Sequence, residues 1–434
     1  MPRAGESWGR YPRPVHQRLH VLSDRHAPLP VLDGTRLPYG NGRSYGDSCL
    51  NDGGWLLQVR PLDRFIAFDP ANGVLECEAG VTFEEILDLA VPQGWFLPVT
   101  PGTKFVTVGG AIANDVHGKN HHRGGSFGRH VLELELLRSD GERIRCSPVA
   151  NAEWYAATVG GLGLTGLITR ASIQLRRVAG PWMNTQTLRF DHLERFFELS
   201  EGSAEDHEYT VAWIDCCARG HAQGRGVFTR ANHAPAVPDH RPSVPGRRLR
   251  VPFSPPFSLI NPASLRLFNA LYFHRHPEQA LDVVHYEPFF YPLDGIGEWN
   301  RIYGPRGFLQ YQCVVPPDQS LGSLRRLLDI IAASGAGSFL AVLKQFGNLP
   351  SPGMLSFPRP GATLALDFPN HGHRTMALLD RLDAVVAEAG GAVYPAKDAR
   401  MSGRHFKQYF PAWEAFTRFI DPCFSSSFWR RVTE

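Results

Sequence analysis

The chain has 434 residues, with 45 Lys and Arg set against 42 Asp and Glu, for a formal net charge of +3. So even a balance lends no support to a nucleic-acid binder, which usually shows a basic face. Hydrophobic residues at 43% and charged residues at 20% describe an ordinary globular protein, and the length favours two or more compact units. The seven cysteines (Cys49, Cys77, Cys146, Cys216, Cys217, Cys313 and Cys423) are odd in number and show no C-x-x-C spacing. That pattern argues against a disulfide framework or a structural zinc, and for a reducing compartment. Residues 1–14 are polar and lack the apolar core of a signal peptide. The longest apolar stretch, Leu327 to Leu343, is broken by Asp329 and by Ser-Gly-Ala-Gly-Ser at 334–338, and reads as helix, turn and strand rather than a membrane span.

In chain order, residues 31–60 read as strand, glycine loop and strand, with Val31 and Leu32 leading into Pro38 to Asp47 and then Trp55 to Val59. Val74 to Gly80 alternates apolar and polar side chains, as a half-buried strand does. Thr82 and Glu85 have capping-box spacing, which predicts a helix through Ile86, Leu87 and Ala90 that ends near Gly94. Strands are expected at 131–138 and 167–176. The segment 235–256, with seven prolines and four arginines, reads as a long mobile loop without a regular element. It is either solvated or a lid whose arginines meet a lipid phosphate at a membrane surface. Helices are expected at 320–333 and 374–389, and strands at 307–315, 338–344 and 362–368.

Three segments carry the chemistry. In Gly40-Asn41-Gly42-Arg43-Ser44-Tyr45-Gly46, glycines permit positive φ and close approach to a ligand, and successive N–H groups can form an anion nest. A plain glycine-rich turn fits the same pattern, and no G-x-G-x-x-G opens a helix here. The second runs from Pro101-Gly102-Thr103 through Thr107-Val108-Gly109-Gly110 to Ala113-Asn114, His117-Gly118-Lys119-Asn120 and His121-His122. His117 and Lys119 lie two residues apart on one side of an extended segment, and supply an acid or base and a cation. A hydrogen-bonded structural histidine is the alternative for His117. Adjacent histidines without a carboxylate cluster make His121-His122 a poor metal site, so no metal is expected. The third, Gly160-Gly161-Leu162-Gly163-Leu164-Thr165-Gly166-Leu167-Ile168, again marks close backbone approach. Three such loops between strands fit one extended dinucleotide.

The order of these motifs resembles the FAD-binding domain of the vanillyl-alcohol oxidase superfamily (PCMH-type). Gly42 to Asp47, Thr107 to His122, Gly125 to His130 and Gly163 to Gly166 match the decaprenylphosphoryl-β-D-ribose 2′-oxidase family closely. The likeness continues through Pro292-Leu293-Asp294, Gly307 to Gln312, Asp367-Phe368-Pro369 and Ala396-Lys397-Asp398. It implies an α+β fold with a two-lobed FAD-binding domain at 1–178, a substrate domain with an antiparallel sheet flanked by helices at 179–390, and a C-terminal segment, 391–434, that returns to complete the FAD site. It implies that Arg43, Ser44, Tyr45 and Gly46, in one loop with Gly40, Asn41 and Gly42, hold the pyrophosphate. Gly102, Thr103, Thr107, Gly109, Gly110, Ala113, Asn114, His117 and Asn120 would line the cofactor, with Gly118 beside the isoalloxazine. Ile168, with Gly163 and Gly166, would pack at the adenine end, and Tyr394 would close the site. Lys397, His117 and Lys119 are the implied catalytic groups, and Trp213, Phe290, Gln312, Lys344, Thr363 and Ala365 the implied substrate pocket.

The activity so implied is oxidation of a secondary sugar hydroxyl, most nearly the 2′-hydroxyl of a polyprenylphosphoryl ribose. Lys397 would take the proton, flavin N5 the hydride, and Lys119 would stabilise the reduced ring. A quinone or oxygen would accept the electrons, and a short-chain reductase would complete an epimerisation in cell-wall arabinan synthesis. Location in the cytoplasm or peripheral to the inner membrane is implied, with the periplasm left open. Members that tether FAD do so through a His in the first glycine loop. Gly42-Arg43-Ser44 has none, so non-covalent FAD is expected. Thr363 and Ala365 replace Asn and Cys of mycobacterial-type members, and Phe290-Tyr291 replaces an aromatic-His pair, which leaves the substrate open. The alternatives are an FAD oxidase of a free sugar or aldonolactone, such as D-arabinono-1,4-lactone, and a non-catalytic sugar or lipid binder.

Overall fold

The computed structural model describes residues 4–236 and 249–434. Beside two small two-stranded pairings, three larger sheets follow one another along the described residues. The first is a small parallel sheet of β1 (Arg18–Val21), β2 (Arg36–Tyr39) and β3 (Trp55–Gln58), with β3 in the middle. The second is antiparallel and contains β4 (Phe65–Asp69), β5 (Val74–Glu78), β6 (Val131–Leu137), β7 (Arg143–Cys146) and β8 (Leu167–Gln174), in the order β4-β5-β8-β6-β7. Helix α1 (Phe83–Ala90) packs Phe83, Ile86, Leu87 and Ala90 into the core above this sheet. Its start is fixed as expected: Thr82 Oγ1 accepts from the Glu85 N–H at 3.3 Å while the Glu85 carboxylate accepts from the Thr82 N–H at 2.8 Å. A 3-10 turn extends it to Gly94, whose φ of 79° ends it.

The third sheet has eight antiparallel strands: β9 (Trp182–Phe190), β10 (Tyr209–Ile214), β11 (Gly226–His233), β12 (Gln279–His285), β13 (Phe308–Val315), β14 (Val342–Phe346), β15 (Gly361–Pro369) and β16 (Ala392–Val393). Their order is β12-β9-β11-β10-β14-β15-β13-β16. Alternate residues divide its faces. Ala212, Ile214, Leu309, Tyr311, Cys313, Leu343, Leu364, Leu366 and Phe368 join the core formed with α2 (Ser320–Ser334) and α3 (His373–Glu388), which buries Leu324, Leu327, Leu328, Ile331, Leu378, Leu379 and Leu382. The opposite face is left to line a cavity. An α+β architecture, with a large antiparallel sheet packed on helices after the FAD-binding domain, is what the resemblance implies.

Two local expectations are corrected. The strand expected at 338–344 begins at Val342, because the preceding turn spends its hydrogen bonds elsewhere. The Ser338 N–H meets Cys216 Sγ at 3.2 Å, and Ser338 Oγ accepts from the Leu340 and Asp367 N–H groups at 3.0 and 3.1 Å. Most of the loop expected at 235–256 lies outside the described residues. Within its described part, Leu249–Arg250 does form a short strand parallel to Ile296–Gly297, held by Leu249 N–H to Gly295 O and Val251 N–H to Gly297 O, at 3.0 and 2.9 Å. Among the described residues, no helix is long and apolar enough to cross a membrane.

The C-terminal segment returns to the N-terminal loops. Arg431 forks onto both oxygens of Asp47 at 2.8 and 2.7 Å and reaches Asp398 at 2.9 Å. Both carboxylates are buried, so Arg431→Ala would leave two uncompensated acids inside the protein. It should lower the unfolding free energy by about 3 kcal/mol, read as a lower denaturation midpoint in urea.

Candidate active site

The open face of the large sheet floors a cavity of about 830 Å³, near the upper end of the roughly 300–1,000 Å³ range of small-molecule sites. Every second residue of seven strands faces it: Thr185 and Thr187, Val211 and Trp213, Val227 and Thr229, Asp282 and Val284, Gln310 and Gln312, Val342 and Lys344, Ala365 and Asp367. The glycine loops form the opposing wall, and the turn Pro395–Lys397 closes one side.

The wall is built by close backbone packing. Gly42 has φ 59°, and a Cβ there would lie 2.2 Å from the Tyr39 hydroxyl and 2.5 Å from the Glu6 carbonyl, so only glycine fits. Asn41 Nδ2 donates to Phe105 O at 2.9 Å, joining the first loop to the second. Arg43 is packed between the rings of Trp8 and Phe105, 4.3 and 4.9 Å from their centroids. Asp294, whose Oδ2 accepts from the Lys104 N–H at 2.8 Å, lies on the same wall. Thr107 Oγ1 caps the short helix Val108–Ala113 by accepting from the Gly110 N–H at 3.3 Å.

The expected catalytic groups converge here. Lys397 Nζ sits 3.8 Å above the centre of the Tyr45 ring. His117 Nε2 lies 2.8 Å from the Gln312 amide nitrogen, which also donates to Thr363 Oγ1 at 3.3 Å. With a donor facing Nε2, the ring carries its proton on Nδ1, a buried atom without a hydrogen-bond partner. Lys119 Nζ donates to the carbonyls of Phe289 and Phe290 at 2.7 and 3.2 Å, so it points to a different partner from His117 although the two are close in sequence. Lys344 Nζ donates to Gly118 O at 3.4 Å. Tyr394 stacks on Phe357 and donates to Asn114 O at 2.7 Å.

The electrostatics are those of buried amines. Burial, and then the neighbouring Lys344, lower Lys119 to about 7, while burial alone brings Lys344 to about 8. Burial and the charges of Lys344, His121 and Lys397 hold His117 neutral, well below the ordinary histidine range. Burial depresses Lys397 and raises Asp367, and each charge draws the other partly back. A cleft with several shifted groups of this kind is where chemistry is expected.

Most residues anticipated from sequence line this cavity: Gly40, Asn41, Gly42, Arg43, Ser44, Tyr45, Gly102, Thr103, Thr107, Gly109, Gly110, Ala113, Asn114, His117, Gly118, Lys119, Gly163, Gly166, Ile168, Trp213, Phe290, Gln312, Lys344, Ala365, Tyr394 and Lys397. Three do not. Gly46 packs on the Asp398 carbonyl, only 1.5 Å from where its Cβ would stand. Asn120 turns its amide to Pro98 O and Glu208 at 2.8 and 3.0 Å. Thr363 sits behind Gln312. Sequence reasoning missed Gln310, Asp294 and Asp367. Asp367 could have been found, since period two puts it on the face of Thr363 and Ala365.

An FAD binding domain family matches residues 34–147, which contain the first two glycine loops and His117. FAD is therefore the cofactor, and the residues present suit it. The wall is mostly backbone and small side chains, the buried Nε of Arg43 and Nδ1 of His117 lack partners, and no atom lies within 4 Å of a Cβ built on Gly102. Gly102→Phe should consequently fold with unchanged thermal stability as apoprotein, yet bind FAD at least about tenfold more weakly, or about 1.4 kcal/mol, by flavin fluorescence titration.

The chain is 36% identical over 411 residues to the decaprenylphosphoryl-beta-D-ribose oxidase of Mycolicibacterium smegmatis, a match that spans 91% of this chain and 88% of that protein. Shorter matches join it to a D-lactate dehydrogenase of Archaeoglobus fulgidus (35% over 162 residues, 36% of this chain and 35% of that one) and to a putative D-arabinono-1,4-lactone oxidase of Neurospora crassa (26% over 136 residues, 31% and 24%). With this extent of likeness and an FAD binding domain at 34–147, the chain belongs to the decaprenylphosphoryl-β-D-ribose oxidase family and is an FAD-dependent oxidoreductase of the class that acts on CH–OH groups.

Proposed function

We propose that the protein oxidises the 2′-hydroxyl of a polyprenylphosphoryl ribose to a ketone, with non-covalently bound FAD. The observation that carries the reading is the placement of Lys397, His117, Gln312 and Lys344 on the walls of the cavity that also holds the FAD-binding loops. FAD, when bound, supplies the acceptor for the hydrogen and electron pair leaving the sugar carbon. The first glycine loop and Tyr394 hold the cofactor, and the absence of a histidine at 42–44 fits a non-covalent site. Lys397 takes the hydroxyl proton at Nζ. Gln312 and the neutral His117 orient the sugar through hydrogen bonds, and Trp213 and Phe290 exclude water around it. Lys119 and Lys344 bring positive charge to the phosphoryl group or to the developing negative charge beside them. The units 1–178, 179–390 and 391–434 would then supply cofactor, substrate and closing surfaces. A quinone or oxygen as electron acceptor, a reductase partner and a peripheral membrane location complete the proposal.

A second reading, an oxidase of a free sugar lactone, is favoured by the likeness to the Neurospora protein and by Ala365, which opens space on the cavity floor.

Lys397→Ala should retain FAD and fold, while substrate-dependent bleaching of the flavin falls by at least about a hundredfold, the scale of a lost general base. Full turnover in that variant removes the role. As a base Lys397 must be neutral, so kcat/KM should rise with pH and level off below roughly pH 10, because burial lowers its proton affinity below that of a free lysine. A profile still rising above that pH speaks against Lys397.

A further inference from the structure

The cavity floor carries two carboxylates that the proposed proton transfer has not used, Asp282 and Asp367, and of these Asp367 is the one that bears on Lys397. Asp367 is 1% exposed. Its Oδ1 accepts from Gln310 Nε2 at 2.7 Å, and its backbone N–H donates to Ser338 Oγ at 3.1 Å. Its Oδ2 is buried without a partner. Gln310 and Asp367 are paired across β13 and β15, which locks the carboxylate on the cavity face. Lys397 lines the same cavity with its amine over Tyr45, and no direct ion pair joins it to Asp367. The other groups that bear on Lys397 are Lys344 and His117, and those that bear on Asp367 are Tyr45 and Tyr303, both buried.

Among the groups that bear on Lys397, Asp367 is the one carboxylate that favours its charged form, alongside the face of the Tyr45 ring. Burial and Lys344 both oppose it, and His117 is neutral. An amine so placed would be too weak a base to hold a proton taken from an alcohol unless a carboxylate met the new charge.

We propose that Asp367 is the positioning residue that makes the Lys397 amine basic enough for the reaction, its unpartnered oxygen meeting the ammonium formed when the amine takes a proton. In that step the hydroxyl O–H bond breaks and an Nζ–H bond forms. The positive charge left on Nζ is balanced by the carboxylate, while the electron pair of the cleaved C–H bond leaves with its hydrogen to the FAD. Asp367 touches neither breaking bond and acts through Lys397. The inference rests on the proposed role of Lys397 only for its effect on rate, since the effect on the amine itself needs no substrate.

The test is competitive labelling of the holoenzyme with trace acetic anhydride across pH, with acetylation of Lys397 and Lys344 followed separately by mass spectrometry. In Asp367→Asn the Lys397 labelling midpoint should move down by about one pH unit or more, because the carboxylate no longer stabilises the ammonium. Lys344 should move less. The acid limb of the kcat profile should shift down with it, kcat should fall about tenfold or more with a smaller change in KM, and Asp367→Glu should restore most of both. If Asp367→Asn fails to fold or to bind FAD, Gln310→Leu serves instead. It removes the amide that favours the Asp367 carboxylate, and should move the Lys397 midpoint the same way. An unmoved Lys397 midpoint in the folded variant overturns the proposal. A shifted midpoint alongside an active Lys397→Ala enzyme leaves the electrostatic pair standing and removes only the base assignment.

Discussion

The site depends on a single backbone crossing, where Gly46 in the first glycine loop lies against the carbonyl of Asp398 in the C-terminal turn. There is no room for a Cβ at this point. The Tyr45 N–H donates to Ala396 O at 2.9 Å beside it, and Arg431 ties Asp47 to Asp398 on the far side. Two segments from opposite ends of the chain are thereby held as one unit. Their union sets Lys397 over Tyr45 and brings Tyr394 to Asn114. A site of this kind cannot form until the chain is nearly complete, because neither half contains both the first glycine loop and the Pro395–Lys397 turn.

The large sheet supplies the second ingredient. One of its faces is spent on packing against two helices, which gives the strands a rigid backing, and the other presents apolar and polar side chains to the cavity, among them Gln310, Gln312, Lys344 and Asp367. Burying Lys344 on that face, with Lys119 and Lys397 on the loops opposite, costs solvation, and the amines respond by losing proton affinity. In the proposed reaction this cost has a use at Lys397, where a lysine with lowered proton affinity serves as the base.

What could be read in the sequence follows from the range of the forces involved. The Thr82–Glu85 capping box and the glycine at 94 are local, and both appear where the sequence puts them. The alternation in residues 361–369 locates the strand but cannot say that the second face lines a cavity. Asp367 thus passed as part of a motif rather than as a side chain in the site. Gly46 looked like its neighbours in the loop, since nothing nearby announces the distant Asp398. Likeness to a motif sets Asn120 and Thr363 on the cavity wall, whereas tertiary contacts with Glu208 and Gln312 turn them away from it. The late start of the strand at Val342 has the same origin, a contact with Cys216 far away in sequence.

The central claim, that one cavity joins FAD to a phosphoryl-sugar alcohol, is tested most directly by an anaerobic visible spectrum of the purified holoenzyme before and after addition of polyprenylphosphoryl ribose. The account predicts loss of the flavin band near roughly 450 nm, a property of the cofactor, with the lipid-linked sugar and not with free ribose or a sugar lactone. A flavin that stays oxidised with the lipid-linked sugar but bleaches with a lactone would contradict the substrate assignment and favour the second reading.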